Sequence, residues 1–182
     1  MPAAFFNPWR LAGWGFALAL LLTPAIAMQV SREWNWRPGD FLIAALLIGG
    51  VGLGVEWVVR RSVDPAYRLA AAVALVGAFL LAWINAVAHL VAGRDHPANL
   101  LVLAIPVMGL MLGWRSRWQP AGLARVMLVM AAAQLLLAVA VAATNSLKHA
   151  VVLMVFTAPW LVSLLLFRRA SHGRRPAPSP GQ

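Results

Sequence analysis

The sequence predicts an all-α fold, a polytopic bundle of six membrane-spanning helices with both termini in the cytoplasm. The first observation behind this prediction is composition: 62% of the 182 residues are apolar, only 11% are charged, and the mean hydropathy is +0.79. A soluble domain carries about 25% charged residues, so most of this chain must have lipid as its solvent. The other two observations are the regular spacing of the apolar stretches and the unequal distribution of basic residues between them.

Six apolar stretches predict the helices, and together they predict one membrane-embedded domain over residues 1–167. A helix rises about 1.5 Å per residue, so about 20 residues cross a hydrocarbon core of about 30 Å. The fourth stretch is short and carries Pro106, whereas Pro24 and Pro159 predict kinks in the first and sixth. A kink is tolerated where a neighbouring helix satisfies the freed carbonyl. The predicted helices are residues 11–28, 41–59, 69–92, 100–114, 123–143 and 151–167.

The first stretch has an alternative interpretation as a cleaved secretory signal. Arg10 precedes an apolar run that ends at Pro24, and the small-residue sequence A-I-A follows at 25–27, as in a signal with a cleavage site. A retained anchor is favoured because the segment before the apolar run has a single basic residue, and because Trp9 and Trp14 suit an interfacial helix. Cleavage would leave five membrane helices in the same orientation.

Basic residues predict the orientation, because the cytoplasmic connections of membrane proteins carry an excess of Lys and Arg. Of the 15 basic residues, eleven fall in the N-terminal segment, the second and fourth connections and the C-terminal tail. This distribution places both termini in the cytoplasm, and an even number of helices agrees with it. The eleven are Arg10, Arg60, Arg61, Arg68, Arg115, Arg117, Arg125, Arg168, Arg169, Arg174 and Arg175; the other four are Arg32, Arg37, Arg94 and Lys148.

The net charge of +10 and the absence of cysteine narrow the function classes. The arginines lie between apolar stretches rather than along one helix face, which favours membrane orientation and anionic lipid at the basic cytoplasmic face over nucleic acid. Without cysteine, disulfides, thiolate metal sites and cysteine-ligated iron–sulfur clusters are excluded. The tail at 168–182, rich in Arg, Pro and Ser, is expected to be disordered in the cytoplasm.

Small residues predict which helix faces pack together, since close contact between helices in lipid depends on them. The second predicted helix carries Gly50-x-x-x-Gly54, and the fifth carries Ala138 and Ala142 in line with Gln134. The third carries an alanine at every fourth position, namely Ala70, Ala74, Ala78, Ala82 and Ala86. These faces are expected in the interior of the bundle.

Four polar residues within the apolar stretches are candidate functional residues. Asn85 and His89 are four apart and therefore share one face of the third helix, beside the alanines. A polar side chain inside a membrane is a functional hypothesis by default, but an interhelical hydrogen bond is the favoured explanation. Glu56 could carry protons, or it could pair with Arg60 one turn later. Gln134 is most simply an interhelical hydrogen-bonding residue.

A second polar group falls at the outer face in the predicted topology: Asp40, Asp95, His96, Asn99 and His149. Imidazole and carboxylate together suit Zn, Fe or Mn, yet the spacing matches no metal motif. His89 and His149 on two helices could ligate a haem, or the region could bind a quinone. Turn chemistry is the simpler interpretation of the connection, with Pro97 opening the fourth helix and Asn99 as an alternative cap. No cofactor is predicted.

Several short patterns between Trp36 and Gln134 resemble a group of small bacterial inner-membrane proteins. They are W-x-x-x-D-F at 36–41, Y-R at 67–68, F-L-x-A-W-x-N-A at 79–86, D-x-P-A-N at 95–99 and G-x-A-R at 122–125. The resemblance covers more than half of the chain. It implies a bacterial inner-membrane origin and one coherent domain, and it implies no activity, substrate or catalytic residue.

The function predicted from these observations is an integral inner-membrane protein without catalytic machinery, a structural or accessory subunit. A homo-oligomer or a membrane complex is the expected assembly. No nucleophile elbow or S-x-x-K is present, and Ser163 is predicted near the membrane face opposite to His89, so a serine–histidine pair is not expected. The main alternative is a small-solute or proton-coupled transporter or channel that uses the interior polar residues. Haem, quinone or metal binding near the outer face is a lesser alternative.

Overall fold

The computed structural model describes residues 8–30, 36–88, 90–91, 99–144 and 147–173, and every regular element within these ranges is helical. The predicted all-α class is therefore confirmed. The helices are α1 Pro8–Val30, α2 Pro38–Arg61, α3 Pro65–Ala88, α4 Leu100–Arg115, α5 Pro120–Ala143, α6 Leu147–Val155 and α7 Thr157–His172.

Five helical segments are long and apolar enough to cross a membrane, so the chain is a multi-pass membrane protein. They are Arg10–Val30, Pro38–Arg61, Pro65–Ala86, Pro120–Ala143 and Leu147–His172. The sixth, α4, has 16 residues and spans about 24 Å, which is shorter than an average hydrocarbon core of about 30 Å. The fourth stretch is thus the short one, as the sequence indicated.

Proline explains why several helices begin three or four residues before their predicted starts. Pro38, Pro65 and Pro120 are the first residues of α2, α3 and α5. Proline suits that position, because its fixed φ is helical and its missing N–H would be unpaired there in any residue. Hydropathy alone predicts a helix start at the first residue of the continuous apolar run, which lies three or four residues later.

The predicted kink in the last apolar stretch is a break between α6 and α7. Phe156 lies in a turn between the two helices, three residues before Pro159. A proline in a helix removes one main-chain donor and its ring crowds the carbonyl four residues earlier. By contrast, α1 and α4 continue through Pro24 and Pro106.

The C-terminal end of α7 lies beyond the predicted limit of residue 167. The helix continues to His172, so the first residues of the predicted tail are helical.

The chain divides into two compact units, Met1–Trp57 and Val58–Gln182. In the first unit α1 and α2 run antiparallel and meet through long side chains, because Trp14 packs against Gly52 and Arg10 reaches Glu56. The single membrane domain predicted over 1–167 stays a prediction.

In the second unit α5 is the central helix, because it packs against α4, α6 and α7. Helix α3 packs against α7 and α4. The largest fully buried side chains include Trp160, Tyr67 and Leu81. The Ser163 hydroxyl donates to the Ala70 carbonyl at 2.9 Å, and this bond fixes α7 against one residue of the predicted alanine face.

Candidate functional site

The connection between α2 and α3 is built by its own polar side chains. The Asp64 carboxylate accepts hydrogen bonds from the backbone N–H groups of Ala66 at 2.8 Å and Tyr67 at 3.4 Å. These are two of the N–H groups that a helix start leaves without partners. The Asp64 N–H donates to the Ser62 hydroxyl at 3.2 Å, which closes the turn.

Arg68 ties the same connection to the end of α2. Its Nε donates to the Ser62 carbonyl at 2.6 Å and its Nη2 donates to the Val59 carbonyl at 2.9 Å. Carbonyls at a helix C-terminus lack intrahelical partners, so the guanidinium satisfies them. The sequence identified Arg68 only as an orientation signal, because the position of its bonding partners depends on the turn.

The connection between α4 and α5 contains two consecutive residues in the left-handed region, Arg117 at φ 52° and Trp118 at φ 57°. Each costs about 1–2 kcal/mol for a residue with a Cβ atom. The Trp118 N–H returns to the Gly113 carbonyl at 3.1 Å. The Trp118 ring covers Gly113 so closely that a Cβ there would lie 2.8 Å from the ring. A glycine at 113 is therefore required by this turn.

Arg61 at the end of α2 and Tyr67 at the start of α3 hold this strained turn. The Tyr67 hydroxyl donates to the Trp118 carbonyl at 3.1 Å, and Arg61 Nη2 donates to the Arg117 carbonyl at 2.7 Å. Tyr67 is 2% exposed, and its ring packs edge-on against Phe167 of α7 at 5.4 Å. The second and fourth connections, which the basic residues assigned to one membrane face, thus lie at the same end of the second unit.

Two adjacent grooves beside the start of α5 are lined by arginine. The larger, of about 480 Å³, is lined by Arg115, Arg117 and Arg125. The smaller, of about 180 Å³, is lined by Arg125, Arg168 and Ser171. The shared Arg125 shows that the end of α7 lies beside the start of α5. No acidic side chain among the described residues lines either groove, so both can attract anions. The sequence signal for this site was the clustering of arginines in two connections.

Asn85 joins the end of α3 to the start of α4. Its Nδ2 donates to the Asn99 carbonyl at 3.1 Å, and its Oδ1 accepts from the Leu90 N–H at 3.3 Å. The Asn99 side chain accepts from the Val91 N–H at 3.1 Å. Asn99 occupies the N-cap position of α4 but makes no side-chain cap bond, because its Oδ1 is committed to Val91. Asn99 is therefore not the side-chain cap that the sequence offered as an alternative. We call the bonds of the two asparagines the asparagine clasp.

Gln134 lies fully buried in α5 and bonds to α6. Its Nε2 donates to the Leu153 carbonyl at 3.1 Å, close to the break at Phe156. The carbonyl that Pro159 deprives of its main-chain donor is that of Val155, four residues earlier, so Gln134 fastens α5 to α6 and does not replace that donor. Among the described residues, three buried polar atoms find no hydrogen-bond partner: Gln134 Oε1, Thr157 Oγ1 and Trp160 Nε1.

We expect Gln134→Leu to lower the free energy of unfolding by about 0.6–2 kcal/mol, the usual range for an interhelical hydrogen bond in a membrane. The loss is modest because the substitution also removes the unpaired Oε1. Reversible unfolding in mixed detergent micelles measures it, with the exposed Gln119→Leu as control. An unchanged stability for Gln134→Leu would show that the Leu153 carbonyl finds another partner.

Glu56 lies in the first unit, where α1 supplies its partners. Arg10 Nε donates to Glu56 Oε1 at 3.1 Å, Arg10 Nη2 contacts Oε2, and Trp14 Nε1 donates to Oε1 at 3.0 Å. The arginine fork therefore meets the carboxylate in a bidentate ion pair. Both side chains are partly exposed, at 34% and 24%. The predicted pair with Arg60 stays a prediction.

The predicted outer-face residues are distributed over both units. Asp40 Oδ2 accepts from the Arg37 N–H at 2.7 Å at the start of α2, in the first unit. His149 is half-buried in α6, in the second unit. His89, Asp95 and His96 lie outside the described residues. Within the described ranges no three His, Cys, Asp or Glu residues are grouped to hold a metal ion.

Comparison with known proteins adds no family, relative or fold neighbour: no family model, curated protein or solved structure gives a significant match. The geometry therefore carries the functional argument alone. Asn85 fastens the end of α3 to the start of α4, the Arg10–Glu56 ion pair joins α1 to α2, and the arginine-lined grooves present positive charge at one end of the second unit.

Proposed function

We propose that this multi-pass membrane protein is a non-enzymatic structural or accessory subunit of the bacterial inner membrane. The observation that carries the proposal is where the polar side chains of its apolar helices find their partners. Asn85 fastens the connection between α3 and α4, Gln134 fastens α5 to α6, and Glu56 fastens α2 to α1. Each has a structural role that accounts for its presence in lipid.

The transporter alternative requires interior polar groups that share a path for the solute or proton. In the second unit, Asn85 uses both its donor and its acceptor on main-chain atoms at one end of α3. Gln134 bonds instead to the Leu153 carbonyl of α6. The two side chains thus have separate partners, which supports the structural role over transport.

An accessory subunit needs a helix face that a partner helix can approach closely. On α2, Gly52 receives the Trp14 ring, because a Cβ there would lie 3.0 Å from the indole. Gly50 and Gly54 project about half a turn away from Gly52. Among the described residues of the first unit, a Cβ at Gly50 would meet no atom within 4 Å. A small-xxx-small face of this kind suits a transmembrane helix of a partner chain.

Purification in mild detergent tests the accessory role. We expect the tagged protein to elute as an assembly larger than one chain, with a second membrane protein or a second copy identified by mass spectrometry. Gly50→Leu should reduce the assembled fraction at least tenfold, because the leucine blocks close approach. The matched control is Gly39→Leu, in the first turn of the same helix, where a Cβ also meets nothing within 4 Å. A monomer that carries ions or solutes across proteoliposomes would contradict the proposal.

We infer that α1 is retained in the mature protein. Cleavage after Ala27 would remove Arg10 and Trp14, which bind the Glu56 carboxylate, and would leave an acid in an apolar helix without them. The intact mass of the protein from membranes should therefore include residues 1–27. A mass lower by this segment would contradict the inference.

A reporter protein fused after Gln182 tests the predicted orientation. We expect it to be active in the cytoplasm, and activity in the periplasm would overturn the predicted orientation.

A further inference from the structure

We propose that the larger arginine-lined groove binds the phosphate of an anionic phospholipid, held by Arg115, Arg117 and Arg125. The groove has a volume of about 480 Å³ and lies between the end of α4, the strained turn and the first three turns of α5. The proposal depends on the chain being a membrane protein. It does not depend on the accessory role, and it assigns a ligand class to a site that the proposed function leaves unused.

Charge at the groove favours an anion. The side chains of Arg115, Arg117 and Arg125 are exposed and make no hydrogen bond or ion pair with the residues the structure describes. Arg61 and Arg68 at the same end differ, because their guanidinium groups bond to main-chain carbonyls. Three arginines that have no partner among the described residues thus line one groove. Guanidinium groups bind phosphate oxygens in a bidentate manner.

The strained turn fixes one of these arginines in place. Arg117 has φ 52°, and its carbonyl is held by Arg61 Nη2 at 2.7 Å. The next residue is held through its carbonyl by Tyr67 at 3.1 Å. A strained backbone conformation of this kind persists only where surrounding contacts hold it, and such residues are common at ligand-binding sites. Here it brings Arg117 of the turn to the same groove as Arg125 of α5.

The apolar part of the groove distinguishes a lipid from a free phosphate ion. Leu112, Val126 and Val129 line the groove together with the arginines. Val129 follows Arg125 by four residues, so it lies one helical turn deeper on the same face of α5. The groove therefore joins a positive end to an apolar wall that continues into a membrane-spanning helix. An anionic phospholipid has a matching charged headgroup and acyl chain.

Lipid titration of the purified protein tests the site. Phosphatidylglycerol, added in mild detergent at 150 mM salt, should raise the unfolding temperature in a saturable manner, and phosphatidylcholine at the same concentration should not. Arg125→Gln should weaken phosphatidylglycerol binding about five- to tenfold, as expected for loss of one charge-assisted pair. Arg117→Gln should do the same, and it provides the test if the first variant folds poorly.

The matched control is Arg169→Gln, which removes the same charge from an exposed position on α7 that lines neither groove. We expect this variant to bind phosphatidylglycerol like the unmodified protein. Equal weakening by Arg169→Gln would mean diffuse attraction to the basic face and would overturn the proposal. Inorganic phosphate at 10 mM should not stabilise the protein. If it does so as strongly as phosphatidylglycerol, the groove is a free-anion site and the lipid assignment fails.

Discussion

Gly77→Ala is expected to destabilise the protein strongly, by about 2–3 kcal/mol. A Cβ at Gly77 would lie 2.6 Å from the Cβ and 3.2 Å from the Cγ of Pro159. The proline ring is rigid and follows the break between α6 and α7, so it cannot rotate away. α3 and α7 would have to separate, and the bond from Ser163 to the Ala70 carbonyl would lengthen with them. Overpacking of a buried contact costs about 1–3 kcal/mol and sometimes more.

Unfolding in mixed micelles measures this loss, and Gly109→Ala provides the control. A Cβ at Gly109 would lie even closer to its neighbour, 2.3 Å from the Met130 sulfur. Methionine has a flexible, unbranched side chain that can adopt another rotamer, so we expect a loss below about 1 kcal/mol. A larger loss at Gly109 than at Gly77 would contradict the view that the rigidity of the neighbour determines the effect.

Asn85→Leu is expected to lower the free energy of unfolding by about 2–3 kcal/mol. Asn85 is 5% exposed, and its removal takes a donor from the Asn99 carbonyl and an acceptor from the Leu90 N–H. A buried main-chain group left without a partner costs about 1–3 kcal/mol. Leucine has the same branched shape and is larger than asparagine, so the substitution leaves no cavity. Hydrogen exchange at the Leu90 amide should increase together with the loss of stability.

A double-mutant cycle with Asn99→Leu tests whether the asparagine clasp acts as a unit. The Asn99 side chain holds Val91, one residue after the amide that Asn85 holds. If the first substitution already releases residues 90–91, the second has less to remove, and the double variant should lose at least 0.5 kcal/mol less than the sum. Strictly additive losses would show that the two bonds stabilise the connection independently.

Much of the fold could be predicted from the sequence because hydropathy is a local property that adds along a helix. The apolar stretches gave each helix its approximate place, and the arginines of the second and fourth connections indicated a shared end. The predicted helix bounds were wrong where proline or packing, rather than hydropathy, determines the end of a helix. Proline at the first helical position moved the starts of α2, α3 and α5 earlier. The break at Phe156, one turn before Pro159, depended on how α6 and α7 pack.

The candidate site could be predicted only in part. The sequence indicated that Gln134 would hydrogen-bond another helix, and it placed Asn85 among the first candidates. It did not indicate that Asn85 and Asn99 would together fasten the connection between α3 and α4. The sequence grouped Asn85 with His89 on one helix face, and it grouped Asn99 with the polar residues of the outer face. Arg115, Arg117 and Arg125 were identified as charges that orient the protein. Their common groove is not visible in their spacing.

The sequence by itself determined that this chain is helical, lies in a membrane and carries most of its positive charge in alternate connections. These properties follow from composition and from residues near one another in the chain. Only the tertiary structure decided the partner of each polar group: Arg61 and Tyr67 hold a turn more than fifty residues away, and Glu56 meets Arg10 across the first unit. The physical reason is that such a partner depends on helix rotation, depth and turn conformation. Packing sets these quantities, and local periodicity does not encode them.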